Sequence, residues 1–204
     1  MKTITIGGHY TYDDGLTENK TIMFVIRKGK YEDDDAEFYD TISLFGSYGV
    51  HQREFEVEFF QDENVRLATQ EEVNKLRSHC SFTPSTVRNK MDYLISKHWG
   101  INNRPNIVFD PYEPLETTYL GAYHAGTESL IFRSEFLILV EENEFEKILL
   151  HELCHWYLHI TGEEYRDRDV RFAEELIKVG AGETANLHND EARKAFEIAS
   201  NNLR

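Results

Sequence analysis

Ile148-Leu149-Leu150-His151-Glu152-Leu153-Cys154-His155-Trp156-Tyr157-Leu158-His159-Ile160-Thr161-Gly162 is the stretch on which the reading of this 204-residue chain turns. Apolar residues at 145, 148, 149, 153, 156 and 160 recur with helical spacing, and Gly162 closes the run. Asn143 and Glu146 are the expected N-terminal capping pair of this helix. At about 3.6 residues per turn, His151 and His155 stack on one face, so both imidazoles can reach one ion. Glu152 is rotated by about 100° but borders the same space, where a carboxylate can take a proton from metal-bound water. The H-E-x-x-H pattern in a capped helix therefore predicts a zinc site with Glu152 as general base.

Two histidines do not complete such a site, and the third ligand must come from elsewhere. His159 lies two turns from His151, about 12 Å along the axis, and cannot close on the ion that His151 and His155 share. Thr161 occupies the place where one zinc-protease class carries a third histidine, whereas Glu174-Glu175 fall where another class places a glutamate on the next helix. Asp167 and Asp169 follow the Gly162 turn and can fold back beside the histidines, although Asp169 also suits the N-cap of a helix over about 170–179. Tyr157 and Tyr165 are candidate hydrogen-bond donors to an oxyanion, with packing as the plainer role. Cys154 points away from His155 and reads as core, and His124 reads as a surface hairpin residue.

Outward from this helix, the preceding segment has its own pattern. Thr83-Pro84 starts a helix whose face is Val87, Met91, Leu94, Ile95 and His98, stopped by Gly100. Asn106–Phe109 reads as a strand, Asp110-Pro111 and Glu113-Pro114 as a loop, and Tyr119–Tyr123 with Ser129–Phe132 as a hairpin around Ala125-Gly126. A last helix is expected over 190–201.

Residues 1–80 read as a separate β-rich domain, a small sheet or barrel. Thr3–Ile6, Thr21–Ile26 and Thr41–Phe45 are β-branched or aromatic runs, and Phe55, Val57 and Phe59 alternate with glutamates as in a half-buried strand. Asp13-Asp14-Gly15, Lys28-Gly29-Lys30 and the acidic Glu32–Asp35 are the expected turns. Thr69-Gln70-Glu71-Glu72 is a capping box that opens a short helix ending near Ser78. The fold class expected is thus α+β, with the β-rich part over 1–80 and the H-E-x-x-H domain over 81–204.

Composition narrows the function. With 22 Lys and Arg against 37 Asp and Glu, the net charge is −15. The excess is spread over both halves and argues against binding to phosphate backbones. Arg166, Arg168 and Arg171 form one local basic cluster, which reads as a solvated turn. Two cysteines, neither in a C-x-x-C, suit a reducing compartment. No secretory signal and no membrane-length apolar run are seen, so the expected location is cytoplasmic; it is the zinc-peptidase reading of the H-E-x-x-H site that makes a protein or peptide substrate the expected partner.

The run His151 to Leu158, followed by Thr161-Gly162, Tyr165-Arg166-Asp167-Arg168-Asp169, Phe172 and Val179-Gly180, resembles the SprT-like zincin family. Upstream, Leu120-Gly121-Ala122-Tyr123-His124 with Leu130-Ile131-Phe132 and Ser134 is similar to that family's hairpin, and 86–100 to its opening helix. The resemblance covers roughly residues 84–180. It implies a minimal zinc-metalloprotease fold, one Zn2+ ion held by His151 and His155, and Glu152 as catalytic base. Many members carry a third histidine shortly before the residue matching Phe172. Here that place is taken by Asp167, which becomes the expected third ligand, with Asp169 and Glu175 as alternatives. Some relatives digest proteins crosslinked to DNA and carry a zinc-ribbon tail. No cysteine follows Cys154, and DNA binding is not expected here. Beside the peptidase reading stand two others: a non-catalytic, metal-loaded recognition protein, and a zinc hydrolase of a non-peptide amide. An intact Glu152 favours catalysis, since a structural metal site has no use for it.

Overall fold

In a computed structural model, the structure describes residues 2–13, 15, 20–31, 36–46, 48–111 and 120–203. Asp14, Glu32–Asp35, Glu113-Pro114 and Tyr119 lie outside the described residues. In chain order the strands are β1 (His9–Tyr12), β2 (Thr21–Lys30), β3 (Glu37–Phe45), β4 (Gly49–Glu56), β5 (Val65–Leu67), β6 (Asn106–Phe109), β7 (Gly121–His124) and β8 (Ser129–Phe132). The helices are α1 (Gln70–Arg77), α2 (Pro84–His98), α3 (Ser134–Leu137), α4 (Glu142–Ile160), α5 (Val170–Val179) and α6 (Asp190–Asn202). The protein is α+β, strand-rich first and helix-rich after. Among the described residues no helix is long and apolar enough to cross a membrane.

The chain divides into two compact units. The described residues of the first come from 2–81, 111 and 134–139; those of the second from 82–110, 120–133 and 140–203.

The first unit is built on a five-stranded antiparallel sheet in the order β4-β3-β2-β1-β5, an open sheet and not a barrel. Tyr10, Met23, Val25, Tyr39, Val57, Phe60 and Val65 form one buried cluster. At about 1.5–3 kcal/mol for each large apolar side chain buried, this cluster is a main source of the unit's stability. In the same unit the Phe24 ring meets Phe136 of α3 edge-on at 5.2 Å. The capping box of α1 forms as expected: Thr69 Oγ1 accepts the Glu72 N–H at 3.3 Å, and the Glu72 carboxylate accepts the Thr69 N–H at 2.7 Å.

Three local expectations are corrected here. Thr3–Ile6 is not a strand, because a turn at Gly7 diverts the chain; β1 begins at His9 instead. Lys28-Gly29-Lys30 is not a turn but the end of β2, paired with Phe38 and its neighbours. Gly29 is required there by close approach, since a Cβ would fall 2.4 Å from the Phe38 ring. The strand through Phe55 stops at Glu56, and Val57–Gln61 forms a 3₁₀ turn. Three residues per turn bring Val57 and Phe60 to the same buried side, which strict alternation would not.

In the second unit, β6, β8 and β7 form a three-stranded sheet, with β6 parallel to β8 and β7 antiparallel to it. The expected strand 106–109 and the hairpin over Ala125-Gly126 are both present. Phe132 of β8 and Phe82 pack against Phe145 of α4, with ring centroids 5.7 and 4.1 Å away. Helix α2 starts on Thr83 and Pro84 as expected. Helix α4 begins two residues earlier than expected, with Glu141 as N-cap, so Asn143 and Glu146 lie inside it. Acidic Glu142 and Glu144 suit the positive end of the helix, and Glu146 pairs with Lys90 at 3.0 Å rather than reaching back to cap. Helices α4 and α5 end where Gly162 and Gly180 take positive φ.

Candidate metal centre

Helix α4 carries His151 and His155 one turn apart, and the turn after Gly162 brings Asp167 back beside them. The two Nε2 atoms are 3.2 Å apart. Asp167 Oδ1 lies 3.3 Å from Nε2 of His151 and 3.8 Å from that of His155. These three side chains form a group that can hold a metal ion. A tetrahedral zinc ion with ligands about 2.0–2.1 Å away spaces them by about 3.3 Å, so the residues present fit such an ion.

The hydrogen bonds on the far side of each ring strengthen that fit. His155 Nδ1 faces the backbone carbonyl of Tyr165, which can only accept, so the ring proton sits on Nδ1. Thr184 Oγ1 gives its own proton to the Ala181 carbonyl at 2.7 Å, and so accepts from His151 Nδ1 at 2.9 Å. In these neutral tautomers both Nε2 atoms keep a lone pair, and the two atoms lie 3.2 Å apart. Such a pair repels at 3.2 Å unless a cation lies between or a proton is shared. Phe172, 1% exposed, stacks on His155 with centroids 4.0 Å apart and meets His151 edge-on, fixing both ring planes.

The electrostatics follow from burial and from these neighbours. Burial opposes a charge on His151, but the Asp167 hydrogen bond and the Glu152 and Asp167 carboxylates outweigh it and raise its pKa. His155 is pushed down to about 4 by burial and by the adjacent His151. Burial opposes ionisation of Asp167, yet its bond to His151 and the two imidazoles hold the carboxyl below its ordinary range. Glu152 is pushed up to about 7, chiefly by burial, while the Tyr123 backbone N–H donates to it and opposes the rise. The Asp167 side chain is 43% exposed, so the group opens to water on that side.

The other candidates sit elsewhere. Asp169 is the N-cap residue of α5, and its carboxylate accepts the Arg166 N–H at 2.8 Å. Glu175 is fully buried and bonded to Trp99 Nε1 at 2.7 Å and to Arg171 at 2.8 Å. Tyr157 stacks on Trp99, Cys154 is buried, and exposed His124 bonds Thr127 within its own hairpin. The basic cluster is dispersed: Arg171 pairs with Glu163 and Glu175, and Arg168 with Glu191. Sequence reasoning missed Thr184, the Tyr165 carbonyl and the backbone of β7. A backbone carbonyl leaves no mark in a sequence, and Thr184 is 33 positions from the ring it holds.

No family model matches the chain, and no solved structure matches it. Curated proteins named "Protein SprT-like" do match part of it. The one from Enterococcus faecalis is 37% identical over 65 residues, 32% of this chain and 42% of that protein. The one from Geobacillus kaustophilus is 39% identical over 70 residues, 34% and 47% of the two lengths. The one from Lysinibacillus sphaericus is 55% identical over 61 residues, 30% and 40%. The chain thus matches less than half the length of these relatives. Over about a third of its own length, this chain is similar to the SprT-like proteins.

Proposed function

We propose that this chain is a zinc-dependent hydrolase of peptide bonds, with His151, His155 and Asp167 holding the ion and Glu152 as general base. The observation that carries the reading is the pair of Nε2 atoms 3.2 Å apart beside the Asp167 carboxylate. When bound, zinc would lower the pKa of a water and polarise a substrate carbonyl. Glu152 follows His151 directly, and burial sets its carboxyl near neutrality, at about 7. A group so tuned can take a proton from the attacking water and return it to the departing amine. Gly121 of β7 lies close against the Glu152 side chain and confines it. Tyr165 and Thr184 keep the two ligand imidazoles in the tautomer that leaves Nε2 free.

Peptides rather than other amides are favoured by β7, an outer strand of its sheet among the described residues, which runs past Glu152. An outer strand can pair with an extended peptide backbone. The test is the Glu152→Gln variant, assayed on an unfolded protein substrate with metal content measured alongside. A peptidase keeps its zinc and loses turnover by at least about 100-fold. Undiminished cleavage would remove Glu152 from its role, and a parent chain that takes up no zinc would end the reading altogether.

A further inference from the structure

His159, excluded as a ligand by its distance along the helix, has a partner of its own. The Tyr123 hydroxyl is hydrogen-bonded to its Nδ1 at 2.6 Å, and its ring lies 4.8 Å from that of Tyr165. Burial pushes the Tyr123 phenol up to about 12, so the hydroxyl keeps its proton. β7 therefore meets α4 at two points: Gly121 at Glu152 and the Tyr123 hydroxyl at His159, two turns or about 10 Å further along. The strand is already tight against the helix, since a Cβ on Gly121 would fall 3.3 Å from Glu152 Cγ. On its other side, the Tyr165 backbone carbonyl accepts from His155, and Asp167 is two residues on.

We propose that His159 is a positioning residue, which with Tyr123 and Tyr165 clamps β7 and the Asp167 loop to α4 and so sets the spacing of the base and the ligands. The contacts form a ring around the centre. β7 touches Glu152 through Gly121 and His159 through Tyr123, His159 packs on Tyr165, and Tyr165 holds His155. Opening the ring at the hydroxyl frees the strand to slide and the Tyr165 side chain to turn. This inference rests on the proposed zinc site for its metal readout, but not for its strand readout.

The test uses the full chain in four variants: Tyr123→Phe, His159→Phe, the double variant and His159→Asn. Amide exchange at residue 123 is followed without metal. Zinc affinity is measured against a chromophoric chelator, together with the visible spectrum of the Co2+-loaded chain. Each single Phe variant is expected to speed exchange at residue 123 and to weaken zinc binding, both by about 10-fold, with a shifted cobalt spectrum. The double variant should do no more than either single one, because one hydrogen bond is lost in all three. His159→Asn, whose amide can hydrogen-bond to the Tyr123 hydroxyl where Nδ1 did, should restore both readouts to within about 2-fold. Unchanged exchange at residue 123, or losses that add in the double variant, would overturn the clamp whether or not zinc binds. A parent chain that binds zinc but cleaves nothing would overturn the peptidase reading and leave the clamp to be judged on exchange.

Discussion

Gly121 and Glu152 touch without room for a side chain between them. A Cβ on Gly121 would lie 2.8 Å from the fully buried Phe132 ring and 3.3 Å from Glu152 Cγ. The ring is packed against Phe109 and Phe145 and has nowhere to move. Gly121→Ala should therefore cost about 1–3 kcal/mol of stability, the usual range for overpacking. It should also lower hydrolysis with little change in zinc content, because the ligands lie away from the added methyl. Chemical unfolding, metal analysis and turnover on one preparation check this. Equal loss of zinc and turnover would mean that the methyl disturbs the whole centre and not the base.

Asp167 distinguishes the geometric assignment from its two sequence-level rivals. Removing a ligand from a three-residue site should weaken zinc by at least about 100-fold in Asp167→Ala, whereas Asp167→His, which restores a nitrogen ligand, should keep binding. Asp169→Ala should leave affinity unchanged. Glu175→Gln should also spare zinc but lower stability by about 1–3 kcal/mol, since it uncouples a fully buried carboxylate from Trp99 and Arg171. Loss of zinc on changing Glu175, with Asp167→Ala neutral, would reverse the assignment.

Zinc and protons should compete for the facing Nε2 atoms. Binding of an ion by the folded form alone adds about 2.7 kcal/mol at 100 times its dissociation constant, so zinc should raise the unfolding midpoint near pH 7.5. Lowering the pH protonates imidazole, and His151, whose pKa is raised, is the first of the pair to take a proton. The zinc-induced shift should shrink steadily below neutrality and vanish near pH 5, as a thermal series with and without chelator would show. A shift that persists undiminished at pH 5 would place the ion on other residues.

The helix and strand pattern of the second unit was largely legible because its signals are local. Thr83-Pro84, the periodic face of α4 and the glycines after α4 and α5 each act within a turn or two. The H-E-x-x-H pair was legible for the same reason: one turn of helix puts both rings on one face. What the sequence left open depends on the path of the chain between elements. Asp167 is set ahead of Asp169 and Glu175 by the family resemblance and not by helical spacing, and it is the turn after Gly162 that brings it to His151. In the first unit, Gly29 reads as a turn residue until the Phe38 ring of the neighbouring strand is seen above it. Thr3–Ile6 has strand propensity but no ladder partner once Gly7 turns the chain.

In the first unit, Glu135 makes a prediction that does not depend on the metal. Its side chain is fully buried, with Oε1 2.6 Å from both His9 Nε2 and Arg77 Nε. Burial opposes ionisation, but the His9 and Arg77 contacts outweigh it and hold the carboxyl at about 2. An unfolded glutamate titrates near 4.3, so the folded form binds its proton less readily than the unfolded chain does. The stabilisation is therefore complete above about pH 4.5 and is lost as the pH falls towards 2; about 2–3 kcal/mol is at stake. Glu135→Gln removes the titration but leaves Arg77 beside a neutral amide, so it should be less stable than the parent at pH 7 and lose less on acidification. Urea unfolding of both chains between pH 7 and pH 2.5 measures this directly. The two stability curves should converge at the acid end, and parallel curves would show that this buried carboxylate does not carry the dependence.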